Sequence, residues 1–218
     1  MPKWRVWFTF MRKFPKKLRK ENVRVEEIDR KISKEMIEKN HYSHKFPQAV
    51  KKTYGCYYRN ELMGTIVFSV PANRFSLTSA IENFDQKSGL ELSRMWTDDR
   101  CPFNFESCCI GIGIKLIQND LPEVRALVSY ADTQFGHVGT IYKATNWVYL
   151  GKTKPERRYL KKDGKLLTRR SLGRKKGETE RESREKLLSE GGVEFLSKPK
   201  HKYVFLLDKT LELKPKNF

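Results

Sequence analysis

The chain has 218 residues, of which 38% are hydrophobic, 33% charged and 12% aromatic, enough to bury a core without disulfides and too aromatic for a disordered chain. No apolar run approaches the roughly 20 residues of a membrane helix, and Val6 to Met11 is too short for a signal-peptide core and lacks a small-residue cleavage site. The net charge is +19, so the composition excludes a membrane-spanning, secreted or collagenous protein and points to a polyanionic partner.

Residues 1–20 hold eight Lys and Arg and no acid, interleaved with Trp4, Trp7, Phe8 and Phe10, and Pro15 bars a helix through them. Val23 to Ile28 alternates as a short strand, and Ile32, Met36 and Ile37 set a helix over 29–40. Thr53 to Tyr58 and Leu62 to Val70 are β-rich and joined by Arg59-Asn60-Glu61, which predicts a hairpin. Residues 72–89 read as loop, Leu90 to Thr97 as a strand and Phe105 to Asn119 as a helix. Val124 to Tyr130 is a buried apolar strand ending at Asp132, followed by a helix over Gly136 to Asn146 and a strand over Trp147 to Leu150.

Arg157 to Leu160 and Lys165 to Thr168 flank Lys162-Asp163-Gly164, and Asp-Gly is a strong hairpin signal. Residues 173–192 are charged, a solvated helix or loop, and Tyr203 to Leu207 is the last strand. This order predicts an α/β fold with a mixed, mostly antiparallel central sheet flanked by helices and carrying a basic β-hairpin insertion. The expected division is a basic aromatic arm (1–21), a catalytic core (22–153), a basic hairpin with a charged insertion (154–192) and a C-terminal strand completing the core (193–218).

Charge is concentrated. Residues 152–176 hold twelve Lys and Arg against two acids, whereas 21–151 balance sixteen against sixteen. The two basic segments carry nearly all of the excess and predict phosphate contacts from Arg5, Arg12, Lys13, Lys16, Lys17, Arg157, Arg158, Lys161, Lys162, Arg169 and Arg170. The four cysteines have no regular spacing, and the expected reading is reduced thiols packed as small hydrophobes.

Several residues invite chemistry. Cys109-Ile110-Gly111-Ile112-Gly113-Ile114 follows a strand and loop; its glycines either present N–H groups to an anion at a helix start or allow close packing. A third glycine is missing for a dinucleotide fingerprint, and no Gly-Lys-Ser/Thr follows for a P-loop. His41 ends the first helix as a cap, or joins Tyr42 and Asp132 in a hard N/O set suited to iron. Arg94 lies in an apolar strand and must pair with a carboxylate or reach a substrate anion. Ser107 either caps the helix or bonds a donor, and Asp132 sits where α/β sheets place functional groups or serves as a turn residue. Asp98-Asp99 reads as a turn rather than a nuclease metal site.

The element order and the Gly-x-Gly position resemble the GNAT-type N-acyltransferases, in which that turn grips the pyrophosphate of acyl-CoA and a tyrosine on the following helix, here Tyr142, protonates the departing thiolate. The Arg or Gln three residues before the first glycine of that pattern is Cys108 here. A closer resemblance lies in His41-Tyr42-Ser43, Glu91-Leu92-Ser93-Arg94-Met95-Trp96, Tyr130-Ala131-Asp132-Thr133 and Gly136-His137-Val138-Gly139-Thr140-Ile141-Tyr142 with Ala144-Thr145-Asn146-Trp147. Over roughly 35–150 and 200–208 these strings are similar to the Mom family, phage enzymes that convert adenine N6 in DNA to a carbamoylmethyl derivative and protect it from host restriction.

That resemblance implies functional roles for His41, Tyr42, Arg94, Ser107, Asp132 and Tyr142, with Gly111 and Gly113 at the donor. It implies a glycine-derived donor such as acyl-CoA, iron at His41, Tyr42 and Asp132, and action in the host cytoplasm with no membrane. The partner is double-stranded DNA, and because N6 lies inside the duplex the adenine must flip out, with Trp96, Phe103 or Tyr42 to stack on it. Two other readings stay open: an acyltransferase acting on protein, RNA or a small amine, and a basic DNA-binding protein without activity.

Overall fold

The computed structural model describes residues 17–169, 171–172 and 177–215. They form β1 (Val23–Glu27), α1 (Arg30–Asn40), β2 (Val50–Tyr58), β3 (Glu61–Ser69), β4 (Gly89–Thr97), α2 (Phe105–Asp120) and β5 (Ala126–Asp132). There follow α3 (Thr140–Lys143), β6 (Val148–Lys152), β7 (Arg157–Leu160), β8 (Leu166–Thr168), α4 (Glu180–Ser189), β9 (Val193–Leu196) and β10 (Lys200–Leu206).

The large sheet has the order β1-β2-β3-β4-β5-β10-β6. Its first four strands pair antiparallel, and β4 meets β5 in parallel, Gly89 opposite Ala126, with α2 making the crossover. This is the mixed, mostly antiparallel sheet that the order of elements predicts. The β2–β3 turn is tight because Arg59 and Asn60 both take positive φ, 50° and 65°, the backbone of a two-residue hairpin turn.

The pleat of β3 assigns the helices to the two faces. Thr65 meets Ser33 of α1 in a buried hydroxyl pair at 2.8 Å, while the neighbouring Ile66, together with Phe68, lies under Gly113 of α2. Successive residues point to opposite faces, so α1 and α2 cover the sheet from opposite sides. Residues 72–89, expected as plain loop, also build core: Leu77 and Ile81 are fully buried with Ala126, Val128 and Val204. An apolar loop segment of this kind is pinned by packing, not by a regular ladder.

The chain divides into two compact units. The first comprises residues up to Tyr130, Gly139–Leu150 and the chain from Lys202; the second comprises Ala131–Val138 and Gly151–His201. The second holds an antiparallel sheet, β8-β7-β9, whose core is Tyr159, Leu167, Leu172 and Leu187. Its helix α4 is capped by Thr179, which forms a reciprocal capping box with Glu182. Among the described residues, no helix is long and apolar enough to cross a membrane.

Candidate functional site

The expected helix over Gly136 to Asn146 shrinks to α3, four residues long. Gly136 and Gly139 take positive φ, 76° and 73°, which ends helical continuity there. Gly139 is required twice over, since a Cβ at this position would stand 2.3 Å from the Tyr203 ring. The close approach seats Tyr142 between Tyr203 and Trp147, ring centroids 5.1 and 5.2 Å away.

The Tyr142 hydroxyl is buried and lies 2.7 Å from Ser129 Oγ on β5. Ser129 Oγ is also 2.7 Å from the Leu92 carbonyl oxygen, which can only accept. The single serine proton therefore goes to Leu92, and Tyr142 donates to Ser129. Burial pushes the Tyr142 phenol above its ordinary range, with Tyr42, Glu91 and Glu106 adding to the rise, so the group is protonated at neutral pH. Sequence reasoning missed Ser129. The signal was present: a lone hydroxyl in the apolar run Val124 to Tyr130 has to find a partner.

His41 is the C-cap of α1 and is buried. Its Nδ1 accepts the Ser43 N–H at 3.1 Å and lies 2.8 Å from Ser43 Oγ, which leaves the proton of a neutral imidazole on Nε2. The ring lies against the exposed Tyr42, centroids 4.1 Å apart. Arg94 does not pair with a carboxylate among the described residues. Its guanidinium donates to two backbone carbonyls, Lys45 at 3.0 Å and Ser93, and makes no ion pair among the described residues. Carbonyl acceptors satisfy a half-buried cation without a carboxylate, and they tie the segment after α1 to β4.

A cleft of about 600 Å³ runs along one face of α2, where Ser107, Cys108, Gly111, Lys115 and Gln118 recur at helical spacing, and Lys20 lines it as well. The expected anion-binding turn at Gly111 and Gly113 is not there. α2 begins at Phe105, so both glycines lie inside the helix with their N–H groups engaged in its ladder. Gly111 faces open space, whereas a Cβ at Gly113 would stand 3.4 Å from the Ile66 side chain, an ordinary packing distance. Ser107 Oγ donates to the Asn104 carbonyl at 3.0 Å. Positive charge in this cleft comes from Lys20 and Lys115, neither of which composition alone had singled out.

Asp132 closes β5 and belongs to the second unit. Its Oδ1 accepts the Gln134 N–H at 3.0 Å, capping the turn that follows, and its Oδ2 pairs with Lys200 Nζ at 2.7 Å. The predicted turn role of Asp98 is present too: it binds Arg100 at 3.0 Å. All four cysteines are free thiols; Cys56 and Cys109 are buried, and burial pushes Cys101 up to about 12.

The sequence model of the Mom protein family matches residues 22–217. The chain belongs to the Mom protein family. The methylcarbamoylase Mom of Escherichia phage Mu is 30% identical over 129 residues, 59% of this chain and 54% of that protein, so the chain spans about half the length of the curated relative it matches. Among solved structures, the ribosomal-protein-S5-alanine acetyltransferase of Vibrio fischeri is similar with a TM-score of 0.49 and 10% identity, over 89% of this chain and 96% of that one. The putative acetyltransferase yncA of Salmonella typhimurium, with acetyl-CoA, is similar at a TM-score of 0.48 and 9% identity, over 86% and 95%.

Iron does not fit the residues named for it. The Asp132 carboxylate is committed to Lys200 and Gln134, and His41 Nδ1 to Ser43. Among the described residues, no three His, Cys, Asp or Glu side chains are grouped to hold a metal ion. Of the predicted phosphate contacts, Arg5, Arg12, Lys13, Lys16 and Arg170 lie outside the described residues, and Lys17 is exposed. Arg157, Arg158 and Arg169 each pair with a glutamate, at 3.6 Å to Glu194, 2.7 Å to Glu156 and 2.7 Å to Glu180. Lys161 and Lys162 are exposed and make no ion pair among the described residues.

Proposed function

We propose that this member of the Mom family is a DNA-modifying transferase that converts adenine N6 to a carbamoylmethyl derivative and so protects phage DNA from host restriction endonucleases. The observation that carries the reading is the family match over residues 22–217, which takes in every site residue described here except the N-terminal cations.

The chemistry sets the demands. The adenine amino group is conjugated with its ring and barely nucleophilic, so a base must take its proton and an acid must serve the leaving group. Tyr142, the tyrosine of the helix after β5, is assigned as the acid. A group oriented by His41, whose ring lies against Tyr42, takes the amino proton. The donor, acyl-CoA or another glycine-derived carrier, lies in the α2 cleft, where Lys20 and Lys115 meet its phosphates and Gly111 leaves room. When bound, that carrier supplies the activated carbon. The target adenine is flipped from the duplex, in the cytoplasm of the host.

Plasmid DNA from cells expressing the chain is expected to resist restriction endonucleases that have adenine in their sites. DNA from cells expressing Tyr142→Phe, at equal protein level, is expected to be cut. Full cutting of both contradicts the proposal.

A further inference from the structure

We propose that the outward face of the small β8-β7-β9 sheet grips the duplex, with Leu160 and Leu166 pressed against the bases as a wedge and the lysines of the β7–β8 turn on the flanking phosphates. This rests on the DNA reading above and adds to it a surface on strands that carry none of the residues assigned to chemistry.

Pleating separates the two faces of this sheet. Tyr159 and Leu167 pair in register and are buried in the unit's core. The next pair, Leu160 with Leu166, therefore points away from that core, and Leu160 also pairs with Val193 on β9. Leu166, Leu160 and Val193 make one row across all three strands, 46%, 38% and 55% exposed. Phe195, 39% exposed, stands opposite Arg158 on the same face. A solvated outer face is polar, whereas this one carries a continuous apolar row with Phe195 beside it and only Arg158 and Thr168 as polar neighbours, which marks it as a contact surface.

Charge says what it contacts. The wedge is the end of a hairpin whose turn carries Lys161, Lys162 and Lys165, all exposed and without ion pairs among the described residues. Asp163, the acid in that turn, accepts the Lys165 N–H at 2.9 Å and so shapes the turn. The arginines of the hairpin strands pair with glutamates, so among the described Lys and Arg of the β7–β8 hairpin the unpaired ones are those beside the leucines. An aliphatic pair bordered by unpaired cations matches a duplex, whose apolar base and sugar surface lies between two lines of phosphate. Side chains of this type unstack a base step and bend the duplex. Such unstacking lowers the cost of extruding a neighbouring adenine.

The test uses the full-length protein and a duplex labelled at both ends for energy transfer, titrated over a range of salt concentrations. Leu160→Ser/Leu166→Ser changes exposed positions only and is expected to keep the parent circular dichroism, lose the bend and weaken binding by about tenfold, with its salt dependence unchanged. Lys161→Gln/Lys162→Gln/Lys165→Gln is expected to lower the slope of log K against log salt by about 0.9 per lysine while keeping the bend at low salt. A leucine variant that binds and bends DNA as the parent does overturns the wedge, even where adenine is still modified. A fall in its solution mass from dimer to monomer overturns it as well, since the face then joins two copies of this chain. A parent that neither binds nor modifies DNA overturns the proposed function itself.

Discussion

The two units treat polar groups in opposite ways. In the first, several hydroxyls are taken into the interior and bonded there: Ser33 to Thr65, Thr65 to the Tyr54 carbonyl, Ser129 to Leu92 and Tyr142. In the second, four side chains make the core and polar order lies at the surface, in pairs such as Arg158–Glu156, Arg169–Glu180 and Arg184–Glu194. Exposed pairs of this kind contribute about 0–1 kcal/mol each. Buried, geometrically satisfied networks fix one arrangement, whereas a small core edged by ion pairs opens more readily. The first unit is thus suited to hold Tyr142 in one place, and the second to present a surface.

Gly139→Ala is the hardest test of the first unit's rigidity. A methyl group 2.3 Å from an aromatic ring, at a φ of 73°, is expected to cost about 3 kcal/mol or more in urea denaturation. A neutral result means that Tyr203 and Tyr142 are loosely held. Leu187→Ala is expected to cost about 2–4 kcal/mol, but locally. Hydrogen exchange should quicken over residues 157–196 and stay slow in β2, β3 and β4. Equal acceleration in both regions would erase the distinction between the units.

Ser129→Ala leaves the buried Tyr142 hydroxyl without its acceptor and is expected to cost about 1–3 kcal/mol. The same tyrosine shapes the alkaline limb. Its folded value is raised above the ordinary 10.0 by burial, so the stability it contributes is intact below that pH and lost as pH rises beyond it. Tyr142→Phe should therefore flatten the fall in melting temperature above pH 10. Asp208 gives the smallest effect and the opposite sign. Hydrogen bonds from the Thr210 side chain and N–H, with Arg125, hold its carboxyl down to about 2 against an ordinary 3.8. Its contribution is intact above the ordinary value and lost as pH falls through 2, so Asp208→Asn should show a shallower acid limb. An unchanged limb would place the acid sensitivity elsewhere.

Much of this fold was legible because its elements obey local rules. The β2–β3 hairpin, β4, α2 and the β7–β8 hairpin stand within about three residues of their predicted ends, where alternation, helical spacing and turn residues all agreed. The failures share a cause. Residues 136–146 carry helical spacing, yet Gly136 and Gly139 adopt left-handed backbone, and at Gly139 Tyr203 leaves no room for a side chain, a long-range fact. β9 went unread because Val193 to Leu196 is too short to show alternation. The family strings singled out Tyr142 and Asp132, but pattern cannot say which atoms a group is already bonded to. Arg94 bound to carbonyls, Asp132 to Lys200 and the glycines inside α2 are all outcomes of tertiary competition.

The most direct measurement is mass spectrometry of nucleosides digested from the DNA of cells expressing the intact chain, with folded Tyr142→Phe beside it. The expected result is a deoxyadenosine carrying one carbamoylmethyl group on N6, reduced about a hundredfold or more in the variant, the scale of a lost proton donor. Unmodified deoxyadenosine from cells that contain the folded chain and its donor would contradict the account.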